Sequence, residues 1–233
     1  MEKVRLAVIA SGRGTTTESL INAGVAEVVI AITNNGPKRA EIWERAKEMR
    51  FPLKHIPRGE DRDPIKHGEV ILYVLGKYDF DWVFLNGCSF PVGENVLKKY
   101  PKIFNIHPTP LDRGHPDFGG VYGLTSYAWV KYFAESISRD FLSETTIHLA
   151  TKDYDAGPSL LTEPYELFRE ETVEDLSIRA LNSDHTLAIN FCRKILSGGN
   201  IDPIIRTERL IPSDEISILN ETKQMALADY PHG

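Results

Sequence analysis

The chain has 233 residues, of which 42% are hydrophobic and 26% charged, and its formal net charge is −6. This composition predicts one large folded domain or two small ones and excludes global disorder. The acidic balance, without any lysine or arginine block, disfavours nucleic acid as a partner but leaves room for a small anionic substrate. Two cysteines are too few for a disulfide framework, and no Cys/His spacing indicates a metal site. The N-terminal apolar run of about seven residues is too short for a signal peptide or a membrane span, so we expect a cytoplasmic protein.

In the first half of the chain, short β-branched runs alternate with segments of helical period. This alternation predicts a doubly wound, mostly parallel α/β sheet. The predicted strands are residues 4–10, 27–33, 53–56, 82–85 and 103–106, and the predicted helices are residues 17–23, 39–49, 63–77 and 93–100. Because such sheets bind ligands at the carboxyl ends of their strands, we expect a site where the last of these strands ends.

The second half of the chain predicts a loop, a strand pair and a long helix. Residues 108–123 contain three prolines and four glycines and are predicted as a functional loop, followed by a helix at residues 124–134. Residues 144–150 and 159–167 alternate polar and apolar side chains, which predicts paired strands around the loop 151–158. Thr172 and Asp175 predict the capped start of a long helix that ends at Gly198. The apolar face predicted for that helix contains Ile178, Leu181, His185, Ala188, Cys192 and Ile195. Residues 201–233 show only weak periodicity.

The first chemical motif is the loop Ser11-Gly12-Arg13-Gly14-Thr15-Thr16, between the first strand and the first helix. Its glycines permit a tight turn, and the helix N-terminus offers unpaired N–H groups to an anion. The loop lacks the third glycine of the dinucleotide fingerprint and the lysine of a Walker loop. A plain glycine turn with a threonine cap is one interpretation. Arg13 and the two threonine hydroxyls favour the other, a site for a phosphate monoester.

The second motif is a set of three polar residues, Asn105, His107 and Asp155. Histidine after a strand and aspartate in a turn are each ordinary when alone. If the loop 151–158 folds over the end of the sheet, however, Asp155 favours the imidazolium form of His107 and raises its pKa. Asn105 could then hold a developing oxyanion. No serine or cysteine nucleophile is suitably placed, because Cys88 belongs to the turn after a strand, so direct acyl transfer between two bound substrates is favoured.

Four segments together resemble a known family. They are ASGRGT at residues 10–15, NIHP at 105–108, FGGVYG at 118–123, and TIH at 146–148 running to DAGP at 155–158. In order and spacing they are similar to the formyltransferases that use 10-formyltetrahydrofolate, and especially to the branch that formylates phosphoribosylglycinamide. The resemblance covers residues 3–210. It implies a Rossmann-like formyltransferase fold, one catalytic domain at residues 1–210 with a C-terminal extension at 211–233, and a step of de novo purine biosynthesis. The N-terminal half would bind the phosphorylated substrate, and the C-terminal half would carry the folate loop.

The resemblance also implies residue roles. Asn105 would steady the formyl oxygen, His107 would act in proton transfer, and Asp155 would raise the pKa of His107. The substrate-binding residues it implies are Gly12, Gly14, Thr15 and Thr16 for the phosphate, and Asp184 for the ribosylglycinamide. The folate-binding residues it implies are Arg62, Ser89, Phe90, Pro91, Val92, Asn105 and Asp153. No metal is expected, and the assembly is expected to be a monomer or a homodimer without nucleic-acid or membrane partners.

Three departures from the family pattern keep a second acceptor open. Thr15-Thr16 stands for a Ser/Thr-Asn pair, residues 86–91 replace an Ala-Gly-aromatic-Met-Arg run, and Asp184 stands for a glutamate. The alternative is therefore a folate-dependent formyltransferase that acts on an amino sugar or a hydroxyornithine. A tRNA formyltransferase and a formyltetrahydrofolate hydrolase are disfavoured, since this sequence shows neither of their additional domains. A non-enzymatic binding protein is disfavoured because three buried polar residues would be costly without a task.

Overall fold

The computed structural model describes residues 2–231, and these form two compact units. Unit 1 comprises the described residues up to Ile106, together with Leu149–Tyr154 and Ala188–Ile201. Unit 2 comprises His107–His148, Asp155–Leu187 and the described residues from Asp202 onward. No helix within residues 2–231 combines the length and the apolarity needed to cross a membrane.

Unit 1 is built on parallel strands, as the alternation of strand and helix patterns predicts. Its strands are β1 (Val4–Ala10), β2 (Ala26–Thr33), β3 (Leu53–His55), β4 (Trp82–Asn86) and β5 (Ile103–His107). They lie in the order β3-β2-β1-β4-β5, all parallel to their neighbours. The helices between successive strands are α1 (Thr15–Asn22), α2 (Ile42–Met49), α3 (Pro64–Leu75) and α4 (Glu94–Lys99). Such crossovers cover the faces of a parallel sheet, which explains why β1 and β4 are nearly continuous apolar runs.

Aromatic rings fix the carboxyl-terminal half of this sheet. Phe84 of β4 stacks on Phe104 of β5 with ring centroids 4.7 Å apart. Phe191 packs on Phe104 at 4.9 Å and meets Trp82 edge-on at 5.5 Å. Buried aromatic pairs of this kind add about 0.5–1.5 kcal/mol each beyond their area burial. Strand β5, which contains Asn105 and ends at His107, is therefore packed within unit 1 through the ring of Phe104.

Unit 2 contains an antiparallel strand pair and three helices. Its strands are β6 (Ser143–Leu149), whose last residue belongs to unit 1, and β7 (Ser159–Tyr165), in antiparallel register. Its helices are α5 (Leu124–Ser136), α6 (Val173–Leu196), which continues into unit 1, and α7 (Ile216–Asp229), preceded by a short 3-10 turn at Ser213–Glu215. The core of the unit gathers Phe118, Trp129, Phe133, Leu176 and Leu219. The predicted cap of α6 is present, since the Asp175 amide donates to Thr172 Oγ1 at 3.1 Å.

The α/β class, the parallel sheet, the C-terminal strand pair and the long helix predicted from the sequence are confirmed, and beyond shifts of up to three residues at the ends of elements there are two local differences. Helix α7 lies in a segment for which only weak periodicity was found, because its buried positions, Leu219, Thr222 and Ala226, include a polar residue. In α6 the prediction for Ile178 was wrong, since its side chain is 68% exposed while Leu176 and Ala180 are buried. Residues two apart on a helix point to nearly opposite sides, so the apolar stripe cannot contain all three.

Candidate active site

The largely buried carboxylate of Asp155 lies between two buried histidines in unit 2. Asp155 Oδ2 lies 3.5 Å from His107 Nδ1, and Asp155 Oδ1 lies 3.5 Å from His148 Nε2. The three side chains are only 11%, 4% and 3% exposed, respectively. A carboxylate so deeply buried keeps its charge only where cations or hydrogen-bond donors compensate it. The groups around Asp155 therefore decide whether it keeps its charge.

The backbone around Asp155 explains how this carboxylate reaches its position. Asp155 has a φ of 54°, in the left-handed region that aspartate tolerates better than most residues. The Gly120 amide donates to Asp155 Oδ2 at 2.9 Å. A Cβ on Gly119 would lie 3.2 Å from Asp155 Cβ, so glycine at that position permits the close approach. Burial acts to raise the pKa of the Asp155 carboxyl, but His107, His148 and the Gly120 amide together hold it well below its ordinary value.

His107, at the end of β5, has both ring nitrogens directed at acceptors. Its Nε2 lies 3.0 Å from the Phe118 carbonyl oxygen, which can only accept, so Nε2 carries a hydrogen. Its Nδ1 faces Asp155, an arrangement that suits the imidazolium. Burial nevertheless lowers the pKa of His107 below the ordinary histidine value, while Asp155 and the Phe118 carbonyl act in the opposite direction. Asp155 thus acts on the pKa of His107 in the expected, upward direction, but burial is the larger influence and the net shift is downward.

Asp184 is brought close to His107 through one threonine. Thr145 Oγ1 lies 3.1 Å from the His107 carbonyl oxygen and 2.5 Å from Asp184 Oδ1. Burial raises the pKa of the Asp184 carboxyl to about 7, and the hydrogen bond with Thr145 acts against this rise. A hydroxyl has one hydrogen to donate. When Asp184 is protonated, it can donate to Thr145 Oγ1, and the Thr145 hydroxyl can then donate to the His107 carbonyl. Asp184, which is predicted to bind the substrate, therefore changes its charge near neutral pH.

His148 and Thr145 are contacts of the site that the residue roles inferred from the sequence did not include. Residues 146–148 belong to a segment that resembles the family, but the resemblance assigned them no role. The available signal is the alternation of β6, which directs residues 146 and 148 to one face and 145 and 147 to the other. A histidine at a buried strand position, seven residues before Asp155, is the sequence feature that could have indicated the contact between His148 and Asp155.

The glycine loop of unit 1 has the shape expected of an anion site. Gly14 has a φ of 75° and begins α1 with no side-chain cap, and Thr15 and Thr16 are the first residues of the helix. A Cβ on Gly14 would lie 3.0 Å from Ile42 Cγ1, whereas a Cβ on Gly12 would meet nothing within 4 Å. The first N–H groups of a helix have no partner within it, so those of α1 point into the loop.

Six of the residues predicted to bind folate occupy three loops of unit 1, and the seventh, Asn105, lies in β5. The Ser89 amide donates to Ser11 Oγ at 2.9 Å, which joins the loop after β4 to the glycine loop. Phe90 is buried, its ring lies 4.9 Å from that of His67, and its carbonyl oxygen accepts a hydrogen bond from Cys88 Sγ at 3.4 Å. The predicted residues Ser89, Arg62 and Asp153 are exposed, and Pro91, Val92 and Asn105 are half-buried.

Residues 4–191 match the family described as Formyl transferase. This chain belongs to the formyl transferase family. It is 31% identical over 196 residues to the chloroplastic phosphoribosylglycinamide formyltransferase of Arabidopsis thaliana, in an alignment that covers 79% of this chain and 63% of that protein. It is 27% identical to the trifunctional purine biosynthetic protein adenosine-3 of Gallus gallus, over 78% of this chain and 17% of that protein. The chain thus spans less than two thirds of the length of these curated relatives.

The fold of this formyl transferase is also that of a solved structure. Phosphoribosylglycinamide formyltransferase from Bacillus halodurans superposes with a TM-score of 0.70 at 26% identity, covering 83% of this chain and 95% of that one. The family match contains His107, His148, Asp155 and Asp184, whereas it ends at residue 191 and leaves α7 outside. The contacts of α7 with the site therefore lie outside the part of the chain that matches the family.

Proposed function

We propose that this formyl transferase moves the formyl group of 10-formyltetrahydrofolate to the amine of phosphoribosylglycinamide, a step of purine biosynthesis. The observation that carries the proposal is the buried Asp155 carboxylate between His107 and His148, a device for moving a proton out of contact with bulk water. The similarity to proteins named phosphoribosylglycinamide formyltransferase supports this acceptor.

The proposed reaction needs one oxyanion donor and one proton carrier. The acceptor amine attacks the formyl carbon, a C–N bond forms, and the carbonyl electron pair moves to oxygen. Asn105 and His107, two apart in β5, lie on one side of that strand, and the Asn105 amide is the proposed donor to the oxyanion. The oxyanion then collapses, the bond to the folate nitrogen breaks, and the proton lost by the amine is delivered to that nitrogen.

His107 is the proposed carrier of this proton, which its ring can exchange with the substrate once Nε2 turns from the Phe118 carbonyl to the bound substrate. Asp155 stays anionic because its pKa is held well below the ordinary carboxyl value despite its burial, by His107, His148 and the Gly120 amide. An anion at 3.5 Å stabilises the imidazolium while His107 holds the proton. Burial, which lowers the pKa of His107, favours the return of that proton to the leaving group. Because Asp155 raises the pKa of His107 and burial lowers it, the ring can both accept a proton and release it.

The acceptor is proposed to bind through its phosphate and its ribosylglycinamide portion. The open amides at the start of α1, with Thr15 and Thr16, are the proposed phosphate site. Asp184 is the proposed partner of the rest of the acceptor, and it accepts hydrogen bonds most strongly when ionised, above its pKa of about 7. Ser89–Val92, Arg62, Asn105 and Asp153 remain the proposed folate contacts.

The cytoplasm is the proposed compartment. Cys88 and Cys192 are free thiols, and burial raises the pKa of each to about 12. Two unreactive, unpaired thiols fit a reducing environment. The proposed partners are the two small substrates alone, with a monomer or a homodimer as the working assembly.

The proposal is tested by incubating the purified chain with 10-formyltetrahydrofolate, with and without phosphoribosylglycinamide, while folate release is followed spectroscopically. We expect release that depends on the acceptor and that falls by about 10²-fold or more in Asp155→Asn. Release without any acceptor would contradict transfer. Release supported by an amino sugar or hydroxyornithine, but not by phosphoribosylglycinamide, would contradict the acceptor.

A further inference from the structure

Lys223 of α7 contacts the glycine pair that adjoins Asp155. Its Nζ donates to the Gly119 carbonyl at 3.4 Å and lies 4.4 Å above the centroid of the Trp129 ring. A Cβ added to Gly120 would lie 4.0 Å from the same ammonium group. Lysine over the face of a tryptophan is held in a defined position, because the ring quadrupole attracts the cation.

The segment that Lys223 contacts carries the two backbone groups that meet the catalytic pair. The Phe118 carbonyl faces His107 Nε2 at 3.0 Å, and the Gly120 amide donates to Asp155 at 2.9 Å. Gly119 lies between them, so its carbonyl is the point at which a third contact restrains both neighbours. We infer that Lys223 is a positioning residue that holds residues 118–120 against His107 and Asp155. The kinetic part of this inference rests on the proposed function.

The helix that carries Lys223 is anchored to the same core. Trp129 Nε1 donates to the Leu219 carbonyl at 2.8 Å, and Thr125 Oγ1 donates to the Tyr230 carbonyl at 2.6 Å. The Phe118 ring meets Trp129 edge-on at 5.1 Å. Trp129 therefore contacts the loop through its ring and α7 through both its nitrogen and the Lys223 ammonium. Because α7 lies outside the family match at residues 4–191, this brace belongs to the C-terminal segment of this chain.

Lys223 could act through position or directly through its charge, and the two modes have opposite signs. The titratable groups that act on His107 are Asp155, His148 and Asp117. The Phe118 carbonyl contact raises the pKa of His107, so a loosened loop lowers that pKa. Removing a nearby positive charge would instead favour the imidazolium and raise it. The direction of change in a variant without the ammonium therefore separates the two modes.

The test compares Lys223→Met with the conservative Lys223→Arg and with Lys77→Met as a matched control. Lys77 also lies over an aromatic ring, 3.9 Å from the centroid of Tyr73, but in unit 1. Two readouts need no substrate: hydrogen exchange of the Gly120 amide and NMR titration of the His107 ring. The third readout is the pH profile of kcat and of kcat/KM with phosphoribosylglycinamide. Lys223→Gln replaces Lys223→Met if the methionine variant does not fold.

We expect Lys223→Met to speed exchange at Gly120 about tenfold, to lower the pKa of His107, and to reduce kcat about tenfold with little change in acceptor KM. Lys223→Arg should restore these values, and Lys77→Met should not change them. Unaltered exchange at Gly120, a raised His107 pKa, or an unchanged kcat in a chain that turns over would each overturn the inference. If the unmodified chain shows no transfer at all, the proposed function fails, and the exchange and NMR readouts still decide the role of Lys223.

Discussion

The surroundings of Asp155 and the glycine loop of unit 1 are built in opposite ways. Asp155 is enclosed by His107, His148 and a backbone amide, which fix its charge and position. Gly14 has a left-handed backbone, a Cβ added to it would lie 3.0 Å from Ile42 Cγ1, and no side chain caps the helix that follows. The difference matches the proposed roles, because a proton-transfer group needs its charge compensated, whereas an anion site needs unpaired amides and room for the ligand.

Removal of His107, the proposed proton carrier, should have the largest effect. We expect His107→Ala to lower kcat by about 10²–10⁴-fold, the usual contribution of a positioned acid or base. Steady-state kinetics with phosphoribosylglycinamide measure this loss, and circular dichroism checks the fold. His115, an exposed histidine of the loop that follows β5, provides the control, and His115→Ala should keep full activity. Comparable activity in both variants would remove His107 from the mechanism.

The second-largest effect is expected from His148, which faces the other oxygen of Asp155. His148→Phe removes the donor and should reduce kcat about tenfold or more, because a buried carboxylate then loses part of its compensation. His148→Gln keeps an N–H group and should retain more activity than the phenylalanine variant. Equal kcat values for the two variants would show that the hydrogen bond to Asp155 has no role.

Substitutions in the glycine loop should change the stability of the protein through steric fit rather than through charge. Gly14→Ala forces a Cβ into a backbone with a φ of 75° and against Ile42, so we expect a loss of about 1–3 kcal/mol in the free energy of unfolding. Urea denaturation measures this loss. Gly12→Ala is the matched control for stability, since its Cβ meets nothing within 4 Å. Similar losses at both positions would contradict the assigned geometry.

The smallest predicted effect concerns Asp184 and pH. Its pKa in the folded chain is raised to about 7, so the stability it contributes is present below the ordinary carboxyl pKa and is lost as the pH rises through about 7. Asp184→Asn removes this loss, and its melting temperature relative to the unmodified chain should rise by about 2 °C or more between pH 5 and pH 8. The exposed Asp214→Asn should leave that difference flat. A flat difference for Asp184→Asn would mean that the carboxyl ionises normally.

Local pattern was enough to predict the sheet but not the C-terminal helix. The apolar run at residues 4–10 defines β1 to the residue, because a strand buried on both faces has a simple composition. Helix α7 is stabilised by contacts with α5, such as the Trp129 bond to the Leu219 carbonyl, and its own apolar positions are few. Tertiary contacts of this kind leave little trace in a short window of sequence.

The chemical types in the site could be predicted, whereas its electrostatic balance could not. The spacing of Asn105, His107 and Asp155 indicated a carboxylate acting on an imidazole. The net direction of the His107 pKa depends on how deeply the ring is buried, and this is set by residues far away in the chain. His148 joins the pair only through the conformation of the strand and loop between residues 148 and 155.

The most direct test of the central claim follows a labelled formyl carbon. The chain is incubated with 10-formyltetrahydrofolate carrying ¹³C in the formyl group, together with phosphoribosylglycinamide, and the products are read by carbon NMR. The account predicts that the label appears in the formamide of the ribosylglycinamide, and that Asp155→Asn slows its appearance by about 10²-fold or more. Label recovered as free formate, or transferred equally fast by Asp155→Asn, would contradict it.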